Sequence, residues 1–429
     1  MKRNDTTHVE HVAPDELIAQ RIGIPVDSLD QDAVARWQVA AFNETWQYVR
    51  THSKFYREQW SHLPDAITSL EELKGWPSVS ETDLVGQEWR FQCISPSEVN
   101  RVVTVPTTGT AGNSKHIAFN EIDQARSLEF IQAGFKLFCH EGDRLLVLMS
   151  GDTPGGIGWA VRKAVAPIGV DTLAFGSVTD LAEAYRVIMD FRPQVIVGIP
   201  YQVAALARWG QAFSNPESQF IHSALLSADA VPDSVCQRLR NLWGCQTYRH
   251  YGMTEMAIFG GVECSAHHGY HMRGCDLLME IDNPDANGYG ELIITTLGRQ
   301  AMPLVRYRTG DISRFLKEPC ACGSKLYRLD NIRGRRNSRL PVPGNYYVPD
   351  VSELAFRLPQ VIDFDLEADE NKELTLVLRT LPGDVLSAAD VREELKDEPL
   401  LKEIPNIRIE TSDRFPSGPN MKKRIRNNV

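Results

Sequence analysis

Three short stretches concentrate the residues able to do chemistry. TTGTAGNSK at Thr107–Lys115 strings hydroxyls and glycines together ahead of an ammonium group. Thr107, Thr108, Gly109, Thr110 and Gly112 offer hydroxyls and unobstructed backbone N–H groups, which several phosphate oxygens need at once. Lys115 adds a positive charge. The stretch is not a Walker loop, because GxxxxGK[ST] would require Gly at Ser114 and Ser or Thr at His116. HYGMTE at His250–Glu255 sets a hydroxyl beside a carboxylate. Thr254 suits an α-phosphate oxygen, and Glu255 suits magnesium, a hard ion that prefers oxygen ligands. YRTGD at Tyr307–Asp311 ends in a carboxylate able to accept both hydroxyl hydrogens of a ribose. Each stretch has a plain alternative: a Thr/Gly surface loop, a helix cap and a β-turn aspartate. In this order and together, they point to ATP attacked at its α-phosphate.

Such residues need a scaffold that gathers them. The runs RLLVLMS from Arg144, DTLAF from Asp171, QVIVGIP from Gln194 and SALLSAD from Ser223 read as buried strands. Between them GWAVRKAVAPIG, VTDLAEAYRVIMDFRP and QVAALARWGQAF read as helices. This alternation predicts a parallel sheet covered on both faces, with ligands at the carboxyl ends of its strands. HYGMTE follows the predicted strand CQTYR and belongs at such an end. Asp30–His52 is helical in pattern, with Val34, Trp37, Ala41, Trp46 and Val49 on one face. After Gly290 the pattern changes to antiparallel strands, GELIITTL and PLVRYRTGDISRF. Asn331–Arg339 is charged, glycine-bearing and poorly periodic, and reads as a hinge. The remainder is long enough for a small α+β lid.

Composition narrows the function. A chain of 429 residues implies more than one domain, and 42% hydrophobic content is that of a soluble globular protein. No apolar run approaches the ~18 residues of a membrane span. The N-terminal MKRNDTTHVEHVAPDE lacks the apolar stretch of a signal peptide. The expected location is therefore the cytoplasm. A net charge of −10 argues against nucleic acid as a partner. The dense basic stretch Lys422–Arg426 reads on charge alone as a solvated tail. Eight cysteines without an export signal are not a disulfide framework. GDTPGGIG does not have the GxGxxG spacing of a dinucleotide fingerprint.

The ordered motifs resemble the adenylate-forming (AMP-binding) superfamily, most closely its phenylacetate–CoA ligase branch. The resemblance runs from about Ser95 to the C-terminus. It takes in SADAVPDS (Ser227–Ser234), GELIITTLGRQAMPLVRYRTGDISR (Gly290–Arg314), CACG (Cys320–Gly323), IRGR (Ile332–Arg335) and the final PSG…KKRIRN. THSKFYREQW near the N-terminus is similar to that branch's entry helix.

The resemblance implies an α/β protein: a large N-terminal adenylate-forming domain, residues 1–334, with parallel sheets wrapped by helices, and a mobile α+β lid, residues 335–429. It implies a two-step reaction. A carboxylate first attacks the α-phosphate of ATP, giving an acyl-adenylate and pyrophosphate; a thiol, usually that of coenzyme A, then displaces AMP. By the same resemblance Thr107–Lys115 holds the β- and γ-phosphates, and Ala228 and Asp229 border adenine. Tyr251 stacks on the adenine and Gly252 also belongs to the nucleotide site. Thr254 meets the α-phosphate, Glu255 the magnesium, Asp311 the ribose, and Arg335 the ribose or phosphate.

This chain departs from the branch in three places. An ungapped match to Arg424 sets Met421 where the branch has an adenylation lysine, and a shift of one residue brings Lys422 there. Arg336, Asn337 and Ser338 replace acidic hinge residues. SGDTPGG (Ser150–Gly156) replaces the aromatic-bearing start of the acyl pocket, which favours a small carboxylic acid, aromatic or not, with polar amine or hydroxyl substituents; the plain alternative for Asp152 is a cap on the following helix. A carrier-protein thiol or an amine is the alternative acceptor, a nucleotide-binding homologue without activity is a further alternative, and a homodimer is compatible with the sequence. Cys264, His267, His268, His271, Cys320 and Cys322 form two clusters; zinc takes four tetrahedral N/S ligands. Without the resemblance these would be free thiols. With it, the favoured structural zinc ligands are Cys264, His271, Cys320 and Cys322, with His267 as the substitute for His271 and Cys275 as a core thiol.

Overall fold

The computed structural model describes residues 12–106, 114–213, 220–404, 406–413, 423 and 425–427. Contacts divide the chain into two compact units. One contains Met1–Leu137, Tyr251–Thr309 and Ser313–Asn331; the other contains Phe138–His250, Gly310–Ile312 and Ile332–Val429.

In the first unit the helix Gln31–His52 fills the place that its apolar spacing predicts. Asp30 caps it, its carboxylate accepting the Ala33 N–H at 2.7 Å. The buried face of this helix meets an aromatic cluster. Trp46 lies edge-on to Trp76 at 5.0 Å and to Tyr56 at 6.3 Å, and Phe55 stacks on Phe91 at 4.2 Å. Edge-to-face packing of this kind adds to the apolar burial itself. The strands Arg101–Pro106 and Ser114–Phe119 form an antiparallel hairpin, with Pro106 opposite Ser114. Leu277–Asp282 pairs antiparallel with Gly290–Thr296, as the GELIITTL pattern predicts. A smaller antiparallel set joins Gly261–Val262, Tyr270–Met272, Arg328–Leu329 and Phe315–Leu316.

The second unit holds the predicted parallel sheet. Its strands run side by side in the order Gln246–Tyr251, Ser223–Leu226, Val195–Gly198, Arg144–Leu148 and Asp171–Ala174. The interior runs, such as Val195–Gly198, are buried at every residue. That fits strands covered on both faces. The helices Ile157–Val165, Leu181–Phe191 and Asp233–Trp243 are amphipathic and bury one side each, whereas Pro200–Phe213 is buried on every side from Pro200 to Ala207. The C-terminal part is a four-stranded mixed sheet in the order Arg408–Ser412, Leu374–Thr380, Val361–Ala368, Ile425–Asn427, with the helix Val348–Arg357 against it. Leu146, Leu226 and Leu239 share one apolar cluster with Phe356, Phe364 and Leu376.

Two local expectations are refined. PLVRYRTGDISRF becomes a strand only at Tyr307. Arg306 has a left-handed φ of 51°, and its guanidinium is tied to Glu280 at 3.1 Å. A left-handed residue cannot continue a ladder. Within the supposed hinge, Gly334–Arg335 is a short strand paired antiparallel with Ile312 and Asp311. Among the described residues no helix is long and apolar enough to cross a membrane.

Replacing Asp30 by Ala should cost the long helix about 1 kcal/mol. Its first-turn amides should then exchange with solvent about fivefold faster. Unchanged protection at Ala33 would show that the cap is idle.

Candidate active site and metal centre

Thr107, Thr108, Gly109, Thr110 and Gly112 lie outside the described residues, as does Lys422. Lys115 is described, and it stands opposite Val105 in the hairpin. Its ammonium is buried. Nζ lies 2.5 Å from Glu255 Oε1, 3.0 Å from Glu81 Oε1 and 3.3 Å from the Tyr307 hydroxyl. Tyr307 in turn donates to Glu255 Oε1 at 3.2 Å. The cation expected to meet a triphosphate thus sits on the carboxylate expected to meet a metal. Physical necessity explains it: Glu255 is 1% exposed, and a buried carboxylate without a counter-charge costs several kcal/mol.

Backbone geometry presents that carboxylate. The strand Gln246–Tyr251 runs into the motif itself, and Thr254–Met256 forms one tight helical turn. Ala257 and Ile258 follow with left-handed φ values of 60° and 78°. Such values are strained for residues with a Cβ, above all for a β-branched one. The loop closes where Gly260 N–H meets the Tyr251 carbonyl at 3.0 Å. Arg299 braces it from beneath, donating to the Glu255 carbonyl at 2.8 Å and the Ala118 carbonyl at 3.1 Å. Burial lowers the Arg299 guanidinium to about 10. The Tyr251 ring packs near that of Tyr270, 5.9 Å between centroids. Gly252 and Thr254 are half-buried beside it.

In the second unit, SADAV and His250, the first residue of HYGMTE, are brought together by the register of adjacent strands, Leu226 opposite Arg249. Ser227 Oγ lies 2.7 Å from His250 Nδ1. Burial depresses the His250 imidazole to about 3, so it stays neutral and bonds as a neutral ring. Ala228 adopts a left-handed φ of 72°. Asp229 accepts the Ala230 N–H at 2.8 Å and the Lys423 N–H at 2.6 Å. Asp311 and Arg335, both sequence candidates, are cross-strand partners with Nε to Oδ1 at 2.7 Å.

Within its own unit, the structure therefore joins Lys115 with Glu255, Asp311 with Arg335, and the Ser227–Asp229 turn with His250. Sequence reasoning missed Glu81, Arg299 and Tyr307 as parts of the Lys115–Glu255 cluster. Tyr307 carried a usable signal, because it opens the YRTGD motif. Glu81 carried none.

The metal candidates also converge. One donor atom each from Cys264, His271, Cys320 and Cys322 lies within 4.8 Å of the others. Cys264 Sγ is 3.6 Å from Cys320 Sγ, and Cys322 Sγ is 3.4 Å from His271 Nε2. These spacings are close to the edges of a tetrahedron with metal–ligand bonds of about 2.0–2.3 Å. Cys264 follows the strand Gly261–Val262, His271 lies in Tyr270–Met272, and the other two occupy a tight turn closed by Gly323 N–H on the Cys320 carbonyl. The Ala266 N–H points at Cys264 Sγ, 3.4 Å away. His271 Nδ1 faces Asp15 Oδ1 at 3.9 Å, from the first turn of the helix Ala13–Ile22. A carboxylate in this place is of the kind that orients a metal-bound imidazole, and no pattern in the sequence points to it. His267 faces Glu263 instead. Cys275 lies among Ile18, Leu29 and Val34, where burial pushes its thiol up.

Removing Lys115 as Lys115→Met should strand Glu255 and cost about 3–5 kcal/mol in urea unfolding. Adding Glu255→Gln should recover part of that loss. No loss in the single variant would show that Glu255 does not depend on Lys115.

No family model matches the chain. Comparison with known proteins nevertheless gives a consistent result. It is 26% identical over 359 residues to a phenylacetate-coenzyme A ligase of Thermus thermophilus, covering 79% of this chain and 78% of that protein. It is 23% identical over 363 residues to a protein of the same name from Pseudomonas putida, covering 79% of each. Among solved structures it matches 2-hydroxyisobutyryl-CoA ligase in the postadenylation state, in complex with R3-HIB-AMP. The TM-score is 0.79 and the identity 17%, over 95% of this chain and 91% of that one. The first two similarities are in sequence and the third is in fold. Taken with the ordered motifs, they show that the chain is similar in sequence to phenylacetate–CoA ligases and shares the fold of adenylate-forming CoA ligases.

Proposed function

We propose that the protein is an ATP-dependent carboxylic acid–CoA ligase acting through an acyl-adenylate. A carboxylate oxygen forms a bond to the α-phosphorus as the bond to the β-phosphate oxygen breaks, releasing pyrophosphate. The CoA thiol then gives up its proton and attacks the acyl carbon, and AMP leaves with the oxygen. No side-chain nucleophile is needed, so the chain's contribution is placement and charge neutralisation.

The observation that carries this reading is the buried Lys115–Glu255 pair. A triphosphate with its metal supplies a new partner of the right sign to each member. The pair can therefore part without leaving a buried charge exposed to apolar surroundings. In this reading Lys115 moves to the triphosphate alongside Thr107, Thr108, Gly109, Thr110 and Gly112, while Thr254 holds an α-phosphate oxygen. Glu255 would hold magnesium, which when bound offsets negative charge developing at phosphorus. Ala228, Asp229, Tyr251 and Gly252 are assigned to adenine, Asp311 and Arg335 to the ribose, and Lys422 to the adenylation step. The small domain assigned to residues 335–429 would move between the two steps.

The acid is proposed to be small and hydroxyl-bearing rather than amine-bearing. Ser150 and Thr153 supply polar groups, whereas Asp152 is paired with Arg162 at 2.8 Å and so is not free to select a cation. Cys264, His271, Cys320 and Cys322 are assigned to one structural zinc, which would staple strands too short to hold themselves. Cytoplasmic location fits a substrate set of ATP, CoA and a small acid.

Pyrophosphate–ATP exchange against a panel of carboxylic acids, with and without CoA, tests the whole reading. Exchange with one acid and formation of its CoA thioester is the expected outcome. Exchange without a thioester would move the acyl group to a carrier thiol or an amine; no exchange with any acid would leave a nucleotide-binding homologue. Glu255→Gln should lower magnesium-dependent exchange by at least ~100-fold. Its thermal melt should stay close to the parent's, since Lys115 keeps its ion pair with Glu81 and the Gln oxygen still accepts from it. Unaltered turnover would remove Glu255 from the mechanism. Replacing Cys320 and Cys322 by Ser should release the zinc, read by metal analysis of the purified protein, and lower stability. Asp15→Asn should weaken zinc affinity by about 10–100-fold. A parent protein without zinc would end that assignment.

A further inference from the structure

Among the described residues of the C-terminal tail, Lys423 is firmly anchored, and the sequence marks it only as part of a basic run. Its side chain is 6% exposed. The ammonium pairs with Asp363 and donates to the Phe364 carbonyl at 2.6 Å. It also lies 4.6 Å from the centre of the Tyr201 ring and 5.0 Å from that of Phe364. Its backbone does something separate: the Lys423 N–H donates to Asp229 Oδ2 at 2.6 Å. Tyr201 adds its own hydrogen bond to Asp229.

We infer that Lys423 is a positioning residue for the adenylation step, registering the C-terminal tail against the Ser227–Asp229 turn. This rests on the ligase reading above. Its ammonium fixes the tail to the strand Val361–Ala368, and its amide fixes the same residue to the turn assigned to adenine. Two anchors of different kind, meeting at one residue, leave the tail no freedom to slide. A buried ammonium without its carboxylate is strongly unfavourable, so the register is set by charge. Just beyond it, the strand Ile425–Asn427 continues parallel to Leu366–Ala368. The turn itself is held in a strained conformation, Ala228 at φ 72°. The Lys423 and Tyr201 bonds to Asp229 tie the adjoining residue of that turn in place. The strand Val361–Ala368 and the turn assigned to adenine are thereby held through one residue.

The test uses the acid giving the strongest exchange in the parent enzyme. Lys423→Met should lower kcat for pyrophosphate exchange at least tenfold while KM for ATP changes less than twofold. Thioester formation from the chemically prepared acyl-adenylate and CoA should change less than twofold, because it bypasses attack on the α-phosphate. If Lys423→Met does not fold, the apolar pair Lys423→Met with Asp363→Leu removes the stranded charge and should give the same split. A parallel fall of both half-reactions, tracking a lower melting temperature, would reduce Lys423 to a structural cation and overturn the inference. So would unchanged exchange in an active background. Absence of exchange in the parent would instead overturn the ligase reading, and this inference with it.

Discussion

Buried charge needs a partner, and that constraint organises this protein's chemistry. Glu255 is almost wholly buried and rests against Lys115 at 2.5 Å. Asp311, 3% exposed, holds Arg335 across a strand pair. Asp363 holds Lys423. In each case a residue from one motif is neutralised by a residue distant in sequence, so the folded chain gathers its motifs in order to satisfy its own electrostatics. The same arrangement leaves polar groups whose partners can be exchanged for those of an anionic ligand. A site built this way is organised before its ligand arrives, which lowers the reorganisation needed at the moment of reaction.

Strain and bracing accompany the charges. Ala228, Ala257 and Ile258 all have left-handed φ values, and all lie in or beside candidate motifs. Conformations of this kind persist only where the surroundings over-determine them. Here Arg299 beneath the Glu255 carbonyl, His250 against Ser227 and the Lys423 amide on Asp229 supply the determination. The cysteine–histidine cluster lies among weaker structure. It brings together Gly261–Val262, Tyr270–Met272 and the turn before Arg328–Leu329, strands that bury too little apolar surface to be stable alone.

Much of this was legible from local pattern. Runs such as QVIVGIP between amphipathic stretches predicted the parallel sheet, and the spacing of Val34, Ala41, Trp46 and Val49 predicted the long helix. The paired cysteine clusters pointed to a metal only through the family resemblance. What the pattern hid were partners with no sequence signature. Glu81, Arg299 and Asp15 look like ordinary surface charges in the sequence, and the C-terminal basic run looks like a solvated tail until Lys423 is found beneath Tyr201 and Phe364.

Sequence by itself determined which chemistry is available: hydroxyls, glycines, a metal-seeking carboxylate and soft sulfur ligands, in an order that matches ligases forming adenylates. It also determined the periodicities that make strands and helices, because those depend only on neighbours along the chain. Tertiary structure alone decided which charges meet: that Lys115 rests on Glu255, that His271 rather than His267 joins the cysteines, and that one lysine of the basic tail is a buried anchor. Coulombic pairing and desolvation act through space, between residues as far apart as Asp15 and His271 or Asp229 and Lys423, and no local pattern encodes them.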